Sequence, residues 1–192
     1  MNILKILSIV SVIVWLFPPI KQYKTQYFYF FLIPAVFQLS QLFLYLLFNL
    51  STNHFYPTYF FLLISALLQK KERIIFIVVA LACAIIFPAV HFSREVLYSI
   101  SAILSIIVFL MVLYSAVSLI VKTQSINLFL ILLIAYLSID LPKLVDLALN
   151  IKSGLIYYYV GTVAQCLFAV AFCFINIDTK NFRLPLKSSG IE

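Results

Sequence analysis

The sequence predicts an all-α integral membrane protein, a seven-transmembrane-helix bundle with its N-terminus outside and its C-terminus in the cytoplasm. Three observations predict it. The first is composition: of 192 residues, 65% are hydrophobic and 10% charged, with a mean hydropathy of +1.16, whereas a soluble domain is about half apolar and a quarter charged. The second is arrangement, because the apolar residues fall into seven runs separated by short polar connections, and one crossing takes about 20 apolar residues. The third is continuity. The runs do not alternate with period two and exceed the roughly 10-residue segments of a barrel strand, so helices, which pair their own backbone groups without water, are the default. Soluble enzymes, DNA-binding domains, disulfide scaffolds and disordered tails are excluded together.

The runs follow in order. Ile3–Ile20 is read as a retained first span, because it has only Lys5 before it, no small-x-small cleavage site, and Lys21 and Lys24 just after it. The second run is Tyr27–Leu50. The third, Phe55–Leu68, is the shortest and opens on the aromatic cluster Phe55, Tyr56, Tyr59, Phe60 and Phe61. Runs four to seven are Ile74–Phe92, Val96–Val121, Ile126–Leu149 and Leu155–Ile177. Residues 1–177 thus form the transmembrane domain and 178–192 a short basic cytoplasmic tail. The aromatic stretches Tyr27–Phe31, Phe55–Phe61 and Tyr157–Tyr159 fall at span ends, where interfacial belts are expected.

Charge sets the orientation. Lys21, Lys24, Lys70, Lys71, Arg73, Lys122, Lys180, Arg183 and Lys187 lie on one side, and Lys5, Arg94 and Lys152 on the other. The side richer in Lys and Arg is cytoplasmic. The formal net charge of +7 therefore reads as a topology signal in short connections and not as a nucleic-acid groove. The cluster Lys70-Lys71-Glu72-Arg73, with Lys180, Arg183 and Lys187, fits anionic lipid headgroups; docking of a cytoplasmic protein partner is the alternative. Low Gly and Ala content beside abundant Ile and Phe suggests an AT-rich bacterial gene, and with it a bacterial inner membrane.

The sixth run carries the chemistry. Asp140, Lys143 and Asp146 recur at i, i+3 and i+6 on one broad helical face. A charge at mid-span costs roughly 2.5–3.5 kcal/mol on insertion scales, so such groups face a partner or a wet cavity. Asp140 falls near mid-depth, Asp146 about a turn from the outer end, and Lys143 is able to snorkel outward. Pro142 removes a donor beside Asp140 and predicts a kink. Gln38, Gln41, Tyr45 and Asn49 make a matching stripe on the second run, Tyr158, Thr162 and Gln165 on the seventh, and Tyr98, Ser101 and Ser105 on the fifth. Counted from the outer ends, Gln38, Ser105, Asp140 and Gln165 share one layer. Two readings stay open: interhelical hydrogen-bond glue worth about 0.6 kcal/mol per contact, with Asp140–Lys143 a structural bridge, or an outward polar cavity with Asp140 at its floor.

Candidate ligand-binding residues are therefore Asp140, Lys143, Asp146, Gln38, Gln41, Tyr45, Gln165, Tyr158 and Ser105, with His91 and Arg94 at the rim and His54 in the second connection. Several chemistries are disfavoured. The seventh run has no lysine for a Schiff base, two rim histidines do not supply an HExxH pair, and the glycines Gly154, Gly161 and Gly190 build no nucleophile elbow. Cys83, Cys166 and Cys173 lie in apolar runs without paired spacing and read as small hydrophobes. No catalytic residue, metal or cofactor is assigned. The first functional reading is a small-ligand-binding or sensing membrane module that couples to a partner protein. The alternative is a small secondary transporter with Asp140 as its proton-sensitive group and Pro142 as hinge, and a third is an aspartate-dependent lipid hydrolase. Asn49–Thr52 and Asn150–Ser153 each end a span and precede an aromatic stretch. This echo would make the transporter a parallel triple-helix repeat with the fourth span as linker.

Overall fold

Pro18, Pro19 and Pro57 fall in the first turns of helices, whereas Pro34, Pro88 and Pro142 lie inside them. The computed structural model describes residues 3–48, 52–90, 92–149, 155–178 and 183–185, with side chains from residue 6 in the first helix and from residue 159 in the last. The first apolar run is two helices, α1 (Ile3–Trp15) and α2 (Phe17–Lys21), where the sequence predicts one. Pro18 and Pro19 lack the N–H groups that a continuous helix would need and clash with the preceding turn. The first turn of α2 accommodates them instead, because those donors would be unpaired anyway.

Each later run is one helix: α3 (Phe28–Phe48), α4 (Tyr56–Leu67), α5 (Lys70–Val90), α6 (Arg94–Thr123), α7 (Leu128–Ala148) and α8 (Leu155–Phe174). A 3-10 turn, Asn53–Phe55, leads into α4, whose first turn contains Pro57. Ser93 caps α6 by accepting from Val96 N (3.4 Å), and Asn127 caps α7 by accepting from Phe129 N (3.0 Å). Gln124 ends α6 in the left-handed region (φ 50°). Helices α3, α5, α6 and α7 are long and apolar enough to cross a membrane. With 12 residues, α4 rises only about 18 Å. A short antiparallel ribbon pairs β1 (Ser125–Asn127) with β2 (Arg183–Pro185), so three residues of the basic tail fold back onto the bundle.

Six helical segments form a ring. α1 packs on α3 and α8, α3 on α4, α4 on α6, α6 on α7, and α7 on α8. α6 is the most buried of the four long apolar helices, and α5 the least. α5 packs chiefly on α4 and the 3-10 turn, and Ala80 is its one fully buried residue among those described. Large apolar side chains cover its outside, with Ile85 at 74% exposure. An apolar surface of this extent is foreign to a soluble monomer and suits a lipid environment.

Aromatic side chains fill one end of the ring. Trp15, Phe31, Phe129, Tyr136 and Phe172 are all buried. Their ring centroids lie 5.1 Å apart for Trp15–Tyr136, 4.8 Å for Phe31–Phe172 and 5.6 Å for Phe129–Phe172. The expected interfacial belt is thereby corrected in part: Tyr27, Phe30, Phe31, Tyr59 and Phe60 turn inward, because a ring of helices needs bulk at its axis. Tyr29 stays half exposed, with the Arg73 guanidinium over its ring at 5.2 Å.

Candidate functional site

At the other end of the ring polar side chains join the aromatic ones. A cavity of about 520 Å³ opens there between α1, α3, α4, α7 and α8, within the roughly 300–1,000 Å³ range of small-molecule sites. Each wall follows from the helical repeat of its element. α7 contributes Tyr136, Asp140, Lys143 and Leu147, at i, i+4, i+7 and i+11. α3 contributes Gln38, Gln41 and Tyr45, and α8 contributes Thr162 and Gln165.

The geometry centres on Asp140. Gln165 Nε2 donates to Asp140 Oδ1 at 2.8 Å, joining α8 to α7 across the cavity. Lys143, about one turn along α7, lines the same cavity, and its charge acts on the same carboxyl. Tyr59 and Tyr136, both buried, line the same cavity as Asp140. Charge-assisted hydrogen bonds of this kind are the strong ones in a poorly solvated setting. Gln41 Nε2, by contrast, is buried with no hydrogen-bond partner. A buried amide donor without a partner costs about 1–3 kcal/mol.

Six of the nine residues expected at the site line this cavity together: Gln38, Gln41, Tyr45, Asp140, Lys143 and Gln165. Ser105 is corrected. It is buried at 1% exposure in α6 and takes no part in the cavity wall. α6 stands behind α4 and α7, so its small polar face serves helix packing: Ser101 Oγ donates to Leu97 O at 2.8 Å. Tyr98 OH donates to Asn53 Oδ1 at 3.0 Å. Asp146 is half buried and lies off the cavity wall, rotated away from the line of Asp140 and Lys143. The side chain of Tyr158 lies outside the described residues, as do Asn49 and His91.

The sequence reading missed several walls. Ser8 and Ser11, at i and i+3 on α1, reach the cavity, and their spacing in an otherwise apolar run was the available signal. Asn53, Tyr56 and Tyr59 arrive from the 3-10 turn and the start of α4. There the aromatic cluster reads as a membrane belt until the packing is seen. Phe37 and Tyr59 stack at 4.6 Å, and Tyr56 packs on Tyr98 at 5.6 Å.

The opposite end is tied by side-chain caps. Gln22, with 0% exposure, donates Nε2 to Phe172 O at 3.1 Å and to Ile175 O at 2.9 Å, closing the C-terminal end of α8. Asn127 Nδ2 donates to Ile177 O at 3.1 Å. Arg73, assigned to lipid contact from sequence, donates Nε to Ser65 O at 3.2 Å and a terminal nitrogen to Leu68 O at 3.1 Å. It is thereby the C-terminal cap of α4. Among the described residues no group of three His, Cys, Asp or Glu side chains could hold a metal ion, and Cys83, Cys166 and Cys173 are free and half buried.

No protein-family model matches the chain, and neither a curated protein nor a solved structure matches it.

Proposed function

We propose that the chain is a seven-span membrane protein, N-terminus outside, whose cavity faces outward and binds a small polar ligand, with the basic cytoplasmic face coupling to a partner protein. The observation that carries this reading is the convergence of Asp140, Lys143, Gln165, Gln38 and Gln41 on one cavity. Charged groups placed in a membrane at a cost of a few kcal/mol each mark a functional site by default, and a cavity lined by convergent polar groups is the default binding site. The aromatic packing below Tyr136 leaves the cavity open at one end, as a receptor or sensor requires. Asp140→Asn tests the reading. Asn keeps the shape and an acceptor for Gln165, so the variant is expected to insert and fold like the parent chain. Its function in cells should fall at least about tenfold, which corresponds to 1.4 kcal/mol of lost recognition. A fully active Asn variant would sink the proposal.

A second reading, a small secondary transporter, is favoured by one observation. α5, the fourth apolar run, lies outside the ring and leaves two consecutive triplets, α1–α3–α4 and α6–α7–α8, of which all helices but α6 line the cavity. The third helix of each triplet packs against the first helix of the other. This is the arrangement that a parallel repeat with a linker helix would take. In such a transporter the aromatic packing is the closed inner gate.

A further inference from the structure

We infer that the ligand is a zwitterion of α-amino-acid type, its ammonium seated on Asp140 and its carboxylate on Lys143; this rests on the ligand-binding reading above. Formal charge is the first argument. The described cavity wall holds one carboxylate, Asp140, and one ammonium, Lys143, so its charged groups sum to zero. A ligand carrying only a cationic group would compete with Lys143 for Asp140, and one carrying only an anionic group would draw Lys143 from Asp140. Either leaves a charge without a counter-ion in a poorly solvated site, which is costly. A zwitterion exchanges the single Asp140–Lys143 interaction for two opposite-charge contacts, and none is left over.

The surroundings of the two groups differ in the way such a ligand needs. Asp140 shares the cavity with Tyr59 and Tyr136, and aromatic rings in a site with a carboxylate are a setting for an ammonium group. Lys143 lies one turn further from the aromatic core, and its ammonium is the donor for carboxylate oxygen. Phe37, Leu42, Phe60 and Leu144 supply apolar wall for the ligand's side group. A donor for the anionic end and an acceptor for the cationic end are thus set apart on one cavity.

The test uses the purified full chain in nanodiscs. Thermal stability is measured with each of the 20 proteinogenic amino acids, and with sugars, nucleosides, monoamines and monocarboxylates as a parallel panel. At least one amino acid is expected to raise the melting temperature. Its decarboxylated amine and its deaminated acid should bind at least about tenfold more weakly, as should Asp140→Asn and Lys143→Gln. Comparing those analogues on the unsubstituted chain keeps the test decisive should either variant fail to fold. Equal binding of a single-charge analogue, or an amino acid bound undiminished by either variant, overturns the inference. Binding of a sugar or nucleoside alone, lost in Asp140→Asn, also overturns it but leaves the ligand-binding reading standing. No stabilisation by any compound overturns both.

Discussion

Gln22 shows how much one side chain carries at a helix end. It is fully buried, and its amide nitrogen reaches two carbonyls at the end of α8. Gln22→Ala leaves Phe172 O and Ile175 O without that donor, and a cost of about 1–3 kcal/mol is expected. Gln22→Glu should cost more than Gln22→Ala, because a carboxylate facing two carbonyls offers acceptors where donors are needed. Thermal unfolding in detergent orders the three proteins; a Glu variant as stable as the parent contradicts the capping role. Gln22 was not legible in the sequence, since a Gln between Lys21 and Lys24 reads as an ordinary polar connection. Asp140, Lys143 and Gln165 were legible, because a charged or amide group inside an apolar run stands out on hydropathy alone. Ser105 looked equivalent to them on depth, and depth does not say which way a helix is turned.

At the scale of elements, α5 and α6 are opposites despite similar apolar content. α6 buries residues along its length against α4 and α7, while α5 meets the bundle through a narrow face around Ala80. Ala80, at 0% exposure, leaves no room for a larger side chain, so Ala80→Leu should cost about 1–3 kcal/mol through overpacking. Ile85→Ala, at an exposed position, should stay within about 0.5 kcal/mol of the parent. Unfolding of both variants in the same detergent checks the contrast, and equal costs would mean that α5 is seated differently. The break between α1 and α2 is a local effect: Pro18-Pro19 inside an apolar run was itself the signal. The shortness of α4 was likewise visible in the length of its run.

For the whole molecule, the ring closes only because α8 returns to α1, and the cavity exists only because five elements meet around it. Orientation and gating are tested together by cysteine labelling in a variant lacking Cys83, Cys166 and Cys173. With an impermeant maleimide on intact cells, Ser93→Cys is expected to react and Lys71→Cys to react only after the membrane is opened. Ala169→Cys, buried beside the aromatic packing, should stay unreactive from the basic side if the protein is a one-sided receptor. Ligand-dependent labelling there would favour the transporter reading, and reaction of Lys71→Cys in intact cells would overturn the proposed orientation.

The sequence by itself determined the helical class, the seven apolar runs and the charged mid-run group at Asp140, because hydropathy and charge are local properties that a chain displays before it folds. Only the tertiary structure decided that Ser105 packs while Ser8 and Ser11 face a cavity, that Tyr27, Phe30, Phe31, Tyr59 and Phe60 turn inward, and that Arg73 and Gln22 cap helices. Those outcomes depend on how each helix is rotated against its neighbours. In an environment as apolar as the helices themselves, rotation is fixed by the packing of side chains that are distant in sequence.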